Sequence, residues 1–157
     1  MRSNSMRNRG IRSLLLGVSV LLATITIVGA GELPPPGSKP FSAILKSIEG
    51  QELGVITSAE FDDGWWEVKV YKGRDCFDLY IDPKSGEEKR REPVLVGNEL
   101  PPANVKTLSS IIQSLEGRKP GVIMGVEFDD GFWEVKLHKD GREIKLDIDP
   151  RTGETRR

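Results

Sequence analysis

The sequence is poor in the residues from which metal, redox and nucleophilic sites are usually built. Its 157 residues include one cysteine, Cys76, and one histidine, His138. These counts exclude a disulfide framework and a zinc site made of Cys and His ligands. A chain of this length also leaves no room for a large enzyme with a deep cleft. The sequence therefore predicts a protein with no catalytic residues, no metal and no cofactor.

Negatively charged residues are missing from the first thirty positions. The net charge is −1, but residues 1–30 contain four arginines and no acidic residue. Residues 31–157 consequently hold 19 Lys and Arg against 24 Asp and Glu. Nucleic acids and anionic lipid surfaces both attract clustered Lys and Arg. The acidic remainder argues against either of them as a partner.

Residues 1–30 have the pattern of a secretory signal peptide. Four arginines precede an apolar stretch from Leu14 to Val28, and Val28-Gly29-Ala30 resembles a cleavage site. About fifteen apolar residues are few for a membrane-spanning helix, which needs about twenty. We expect a cleaved leader and a periplasmic or secreted protein that does not remain in the membrane. The alternative is an uncleaved N-terminal anchor, which would also leave the remainder outside the cytoplasm.

The rest of the chain repeats itself at a constant spacing. Residues 32–35 recur as 99–102, and residues 61–69 recur with one change at 128–136. Both matches need the same shift of 67 positions and no gap, which indicates a duplication. The predicted organisation is a signal peptide (1–30), a Pro-rich lead-in (31–40), a first repeat (41–91), a linker (92–102) and a second repeat (103–157).

Each repeat reads as one helix followed by three strands. Apolar residues at helical spacing open each repeat: Phe41, Ile44, Leu45 and Ile48, then Leu108, Ile111, Ile112 and Leu115. Alternating segments follow, and we expect their inner positions to be Val55, Thr57, Ala59 and Phe61, then Val122, Met124, Val126 and Phe128. Two-residue turns containing Gly separate the strands. A weakly signalled fourth strand follows Gly86 and Gly153.

The turns set a register that can be checked. In the first repeat Trp66, Val68 and Val70 should face Ile81, Leu79 and Phe77, and the second repeat should pair its equivalents in the same way. Every pair is apolar, and a slip of one residue would destroy all of them. The predicted fold class is α+β: two tandem α-β-β-β units, each a helix packed on a small antiparallel meander. We expect the units to pack together or share a sheet, with Phe61, Trp66, Phe128 and Trp133 as core aromatics.

The order of these features resembles the PepSY domain. The residues that carry the resemblance are Trp66, Val68 and Asp82-Pro83-Lys84-Ser85-Gly86-Glu87, with Trp133, Val135 and Asp149-Pro150-Arg151-Thr152-Gly153-Glu154 in the second repeat. PepSY domains occur in the propeptides of thermolysin-type peptidases and in exported bacterial proteins. The resemblance implies a non-catalytic module that binds, inhibits or chaperones a peptidase or another envelope protein. No protease domain follows in this chain, so any such action would be in trans.

The face of the sheet away from the helix differs between the repeats. In the first repeat we expect it to carry Ile56, Trp65, Tyr71 and Tyr80, whereas Ile123, Phe132, His138 and Asp147 take these places in the second. Exposed aromatic residues are typical anchors for a protein partner. This set is the candidate partner-binding face. The alternative is that it packs against the other repeat or another subunit.

Other polar residues are better explained by structure. Hairpin turns account for Asp62-Asp63-Gly64 and its repeat, which lack the ligand spacing of a calcium loop. We expect Cys76 to be an exposed, unpaired thiol near a strand end, where it could link two copies. The predicted function is an exported binding protein that docks on a protein partner. The alternative is a ligand-binding, sensory or self-associating module, including a homodimer.

Overall fold

The computed structural model describes residues 31–95, 97 and 99–156. The predicted signal peptide lies outside the described residues. The elements in chain order are α1 (Phe41–Glu49), β1 (Val55–Asp62), β2 (Trp65–Lys72), β3 (Asp75–Ile81), β4 (Glu88–Pro93), α2 (Leu108–Gly117), β5 (Val122–Asp129), β6 (Phe132–Lys139) and β7 (Arg142–Ile148). No helix among the described residues is long and apolar enough to cross a membrane.

All seven strands form one antiparallel sheet in the order β4-β3-β2-β1-β5-β6-β7. The first strands of the two halves meet at its centre, where Ala59 lies opposite Val126. The protein thus combines two helices with one antiparallel sheet, which confirms the α+β class. Because the sheet is continuous, the two predicted units are not separate bodies.

The predicted register is confirmed in both halves. Trp66, Val68 and Val70 lie opposite Ile81, Leu79 and Phe77. The second half pairs Trp133, Val135 and Leu137 with Ile148, Leu146 and Ile144. The turns have the backbone that their sequences require, since Asp63 and Gly64 both adopt positive φ, as do Asp140 and Gly141. Positive φ at both turn residues is the type I′ geometry that joins twisted strands in register.

A single core lies between the sheet and the two helices. The predicted helix residues are buried, with Leu45 and Ile112 fully inaccessible. The core cluster includes residues of both helices and of the strands of both halves. Trp66 stacks on Phe41 with ring centroids 3.9 Å apart, and it makes an edge-to-face contact with Phe61. Since neither half closes this cluster by itself, the halves depend on each other for burial.

The weakly signalled fourth strand forms in one half. β4 pairs with β3, and it extends two residues into the predicted linker, to Pro93. In the second half the corresponding contact is a single bridge between Ile148 and Thr155. The sheet is therefore asymmetric at its two edges, although its centre is nearly symmetric.

The prediction for the inner positions at the start of β1 and β5 was wrong. Val55 and Val122 are exposed, whereas Ile56 and Ile123 are buried and belong to the core. The register shifts between Ile56 and Ser58, which is a β-bulge, and the same shift occurs in β5. A bulge places two residues opposite one, so it reverses the alternation on one side of it. Ile56 consequently faces the helices.

Candidate partner-binding face

The helices cover one side of the sheet, and the opposite side is the open face. Of the four residues predicted to form the candidate partner-binding face, Trp65 and Tyr80 lie on this side and remain partly exposed. Ile56 does not lie on the open face, because the bulge in β1 turns it toward the helices. Tyr71 lies on the open face but is 5% exposed. The structure therefore reduces the predicted set to Trp65 and Tyr80.

Tyr71 and Cys76 are buried because the chain beyond β4 folds back over them. Gly97 N donates a hydrogen bond to the Tyr71 hydroxyl at 2.8 Å, and Val94 N donates to the Cys76 carbonyl at 2.9 Å. Cys76 is 3% exposed, so the prediction of an exposed thiol was wrong. A buried thiol cannot link two copies without local unfolding. Sequence periodicity placed both residues on the correct side but could not show what covers them.

The register brings Trp65, Glu67 and Tyr80 together, and we call these three residues the Trp65 patch. Glu67 lies directly opposite Tyr80 on the neighbouring strand. Trp65 is two positions from Glu67 along β2, and therefore on the same face and diagonal to Tyr80. The guanidinium of Arg90, on β4, lies 3.7 Å from the centre of the Tyr80 ring. One face of the Tyr80 ring is thus occupied by a cation of the same chain.

Charges of both signs surround Glu67 in the Trp65 patch. Burial of Glu67 raises the pKa of its carboxyl above the ordinary value of 4.5, and the nearby carboxylates of Asp62 and Asp78 raise it further. The positive charge of Arg90 opposes this shift without cancelling it. Burial also raises the pKa of the Tyr80 hydroxyl, with a smaller contribution from the charge of Glu67. The patch therefore combines two aromatic rings with a carboxylate whose negative charge is unfavourable in the unbound protein.

Substitution of Glu67 should reveal this penalty as a pH dependence. A raised pKa means that the folded protein binds the proton more tightly than the unfolded chain, so stability falls as pH rises from 4.5 through the folded pKa. We expect Glu67→Gln to stabilise the protein at neutral pH and to lose that advantage below pH 4.5, as measured by urea unfolding across pH.

The equivalent residue of the other half provides the control for this measurement. Glu134 Oε1 forms an ion pair with Lys145 Nζ at 2.8 Å, so Glu134→Gln removes a favourable contact. We expect no stabilisation from it at neutral pH. Equal stabilisation by both variants would show that the effect comes from reduced net charge rather than from the site of Glu67.

The equivalent positions in the second half are chemically different. Phe132, Glu134 and Asp147 replace Trp65, Glu67 and Tyr80, and Glu134 lies opposite Asp147. Phe132 is partly exposed, with the Arg156 guanidinium 4.8 Å from its ring centre. The ion pair of Glu134 with Lys145 makes this a solvated charged surface. The two halves thus share a backbone but present different open faces.

An ion pair joins the two halves at the centre of the sheet, on its open face. Lys136 Nζ lies 3.0 Å from Glu60 Oε1, which links β6 to β1. Gly125 lies opposite Glu60, and a Cβ atom there would approach the Ala59 carbonyl oxygen to 3.2 Å. A glycine therefore permits the close contact between β1 and β5. These contacts connect the two halves.

The Asp-Pro turns that carry the family resemblance have a structural role. Asp149 Oδ1 accepts hydrogen bonds from Arg151 N and Thr152 N at 2.8 and 2.9 Å. These backbone donors, Thr152 first, lower the pKa of the Asp149 carboxyl. Lys106 N donates to the Pro150 carbonyl at 3.1 Å, which attaches the segment before α2 to the turn. The turn therefore positions the helix.

The first half repeats this arrangement. Asp82 Oδ1 accepts from Lys84 N and Ser85 N, and Lys39 N donates to the Pro83 carbonyl at 2.8 Å. The hydrogen bond from the Ser85 backbone is the main reason that the pKa of Asp82 is lowered. Both turns thus use their aspartate to hold the backbone.

Carboxylates of Glu32, Asp62 and Asp63 lie within 4.8 Å of one another beside the first hairpin turn. All three residues are exposed, and Glu32 Oε2 accepts a hydrogen bond from Gly64 N at 3.1 Å. The positive φ of Asp63 and Gly64 fits the hairpin turn predicted from sequence. Turn geometry accounts for the cluster without a bound ion.

The described residues thus define an α+β protein with one open sheet face. Residues 98–156 match the family model described as "Peptidase propeptide and YPEB domain". This is the family that the sequence resembles, so the resemblance is confirmed over the second half of the chain. The match points to a module of the kind found in peptidase propeptides and extracytoplasmic proteins.

Two further comparisons concern the chain as a whole. A solved structure from Clostridium difficile 630, described as a "putative lipoprotein", is similar to this chain with a TM-score of 0.47 and 14% sequence identity. The alignment covers 82% of this chain and 97% of that one. A search of curated proteins finds no match.

Proposed function

We propose that this protein is an exported, non-catalytic binding module that docks on a partner protein through the Trp65 patch. The observation that carries the proposal is the pair of partly exposed rings, Trp65 and Tyr80, flanking Glu67 on the open face. Large aromatic side chains contribute most binding energy when a partner covers them. A peptidase of the cell envelope or one that is secreted is the partner class that the family match supports.

The charge around the patch favours a basic contact surface on the partner. Glu67 is partly buried near Asp62 and Asp78, and Arg90 offsets only part of the resulting penalty on its negative charge. A lysine or arginine of the partner would offset this charge and could lie against the exposed Trp65 ring. Association should therefore become slower as ionic strength rises, since salt screens the attraction between unlike surfaces.

We also propose that residues 41–91 are a second PepSY-type unit, derived from the same duplication as residues 103–157. Two observations support this: the shift of 67 relates the register of both meanders, and both Asp-Pro turns hold the segment before a helix. On this view duplication left one unit free to acquire the aromatic patch. The leader predicts that the protein acts in the periplasm or outside the cell.

Capture of a partner by matched variants tests the proposed function. The tagged mature chain, its Trp65→Ala variant and its Phe132→Ala variant would each be incubated with an extract of the cell envelope. We expect Trp65→Ala to lower recovery of the partner by at least tenfold, because a central aromatic anchor contributes about 2 kcal/mol or more. Phe132→Ala removes an equivalent ring from the other half and should leave recovery unchanged.

Two measurements complete the test. Thermal unfolding should show that Trp65→Ala and Trp65→Ala with Tyr80→Ala remain folded, because neither ring belongs to the core. If the captured partner is a peptidase, its activity is then assayed with each purified variant. Equal recovery by the wild type and Trp65→Ala, or cooperative loss of folding in the double variant, would contradict the proposal.

A further inference from the structure

The outer edge of β7 lacks a neighbouring strand in the described part of the chain. Residues 155–156 contact only its end, where Thr155 bridges Ile148 and Arg156 N donates to the Asp147 carbonyl at 2.8 Å. Because the Asp147 carbonyl points outward, the strand period of two directs the backbone groups of Lys145 and Glu143 outward as well. The segment 142–146 thus offers a row of backbone donors and acceptors.

The equivalent edge of β3 shows what a covering strand does. β4 pairs along it, placing Arg91 opposite Leu79 and Pro93 opposite Phe77. Leu79 is 1% exposed as a result. Its equivalent, Leu146, remains partly exposed, and Ile144 is 38% exposed. The second half thus has the apolar residues of a covered edge without the covering strand.

We propose that this edge pairs with the same edge of a second copy, joining two β7 strands antiparallel about a two-fold axis through Ile144. This contact would extend the sheet across both copies. It is independent of the proposed function, because it uses a strand edge rather than the Trp65 patch.

Three features select this register. It pairs only residues 142–146, so it leaves the contacts of Thr155 and Arg156 in place. It sets Glu143 opposite Lys145 of the second copy, twice by symmetry, and these residues both direct their backbone groups outward, as a hydrogen-bonded pair requires. A shift to the next allowed register would oppose Lys145 with Lys145 and Glu143 with Asp147, which is unfavourable.

The side chains on the helix side of the sheet are also compatible with this register. Ile144 would meet Ile144 of the second copy, and Arg142 would lie opposite Leu146. An arginine stem over this leucine repeats the arrangement of Arg91 opposite Leu79 within the chain. Long basic side chains cover apolar surface with their methylene groups while the charged end stays in water.

The other edge of the sheet is unsuited to such pairing. β4 has five consecutive charged residues, Glu88–Glu92, and ends at Pro93. Charged residues and proline on an edge strand are the usual protection against pairing with another chain. β7 is also charged, at Arg142, Glu143, Lys145 and Asp147, but it contains no proline and carries Ile144 and Leu146 on its helix side. The asymmetry of the two edges therefore favours a dimer over an open-ended array.

Sedimentation of the tagless mature chain over a range of concentrations tests the proposal. We expect a monomer–dimer equilibrium that Lys145→Pro shifts to monomer at every concentration. The Lys145 amide points away from β6, so proline at this position spares the hydrogen bonds between β6 and β7. Lys145→Glu should also weaken the dimer, and adding Glu143→Lys to it should restore the dimer by exchanging the two charges.

Cross-linking locates the contact. In a Cys76→Ala background, Ile144→Cys should form a disulfide-linked dimer on mild oxidation, because opposed residues of a non-hydrogen-bonded pair lie about 4.5 Å apart at Cα. Arg91→Cys on the other edge is the control and should stay monomeric. A chain that remains monomeric across the concentration range overturns the proposal, and so does a dimer that Lys145→Pro leaves intact.

Discussion

Leu45→Ala is expected to lower the free energy of unfolding by about 2–5 kcal/mol, because a fully buried leucine is replaced by a cavity. Leu45 belongs to a core cluster that contains residues of both halves. The loss should therefore appear in both halves, although the substitution lies in α1. Urea unfolding gives the size of the loss, and backbone amide exchange in α2 and β6 shows its extent.

A leucine outside the core supplies the control. Leu95 is 93% exposed, so Leu95→Ala removes the same atoms without creating a cavity. We expect its effect on stability to lie within about 0.5 kcal/mol. Amide exchange that accelerates in α1 and β2 of Leu45→Ala while α2 and β6 keep their protection would show that the halves unfold independently, which contradicts a shared core.

The second large effect concerns helix capping across the two halves. Glu116, near the end of α2, accepts hydrogen bonds from the Ser42 amide at 3.2 Å and from the Ser42 hydroxyl. Glu49, at the end of α1, accepts from the Ser109 amide at 3.0 Å and from its hydroxyl. The helices are therefore antiparallel, and each C-terminal glutamate caps the first turn of the other helix. A carboxylate is favourable there because helix N-terminal amides lack partners.

The two caps should differ in importance. α1 begins after Pro40, which offers no side-chain cap, whereas the Thr107 side chain already accepts from Ser110 N at the start of α2. We expect Glu116→Ala to cost about 1–2 kcal/mol of unfolding free energy and Glu49→Ala about 0.5–1 kcal/mol. Glu116→Gln keeps an acceptor oxygen and should retain part of the stability. Chemical denaturation of each variant measures these differences.

A double-mutant cycle assigns the effect to the contact. Glu116→Ala combined with Ser42→Ala should cost less than the sum of the single changes, because the pair is broken only once. Glu116→Ala combined with Ser109→Ala is the control. Glu116 and Ser109 belong to different capping contacts, so the costs of these two substitutions should add. Additive costs in both combinations would show that Glu116 stabilises α2 locally rather than capping α1.

Much of the sheet could be predicted because local rules agree with one another. The turn residues Asp63-Gly64 and Asp130-Gly131 set the register of their hairpins, and apolar alternation chooses the same register for Trp66 and Trp133. Each signal depends on residues close in sequence, and it recurs at the shift of 67 positions. The open-face position of Trp65 and Tyr80 follows from the same alternation.

The reciprocal caps had a sequence signal, although it could not be interpreted alone. Ser42 and Ser109 differ by the shift of 67, as do Glu49 and Glu116. Identity at these positions shows that the same residues occur in both halves. It does not show that each serine contacts the glutamate of the other copy, since that depends on how the two helices cross the shared sheet.

The sequence by itself determined the leader pattern, the recurrence of residues at a shift of 67, the order of elements and the register within each meander. These features arise from composition and from contacts between near neighbours. Only the tertiary structure decided that Ile56 faces the core, that the chain after β4 buries Tyr71 and Cys76, and that β7 keeps an open edge. A bulge changes alternation without changing composition, and burial by a distant segment leaves no local pattern. Those contacts reduced the predicted binding face to Trp65 and Tyr80.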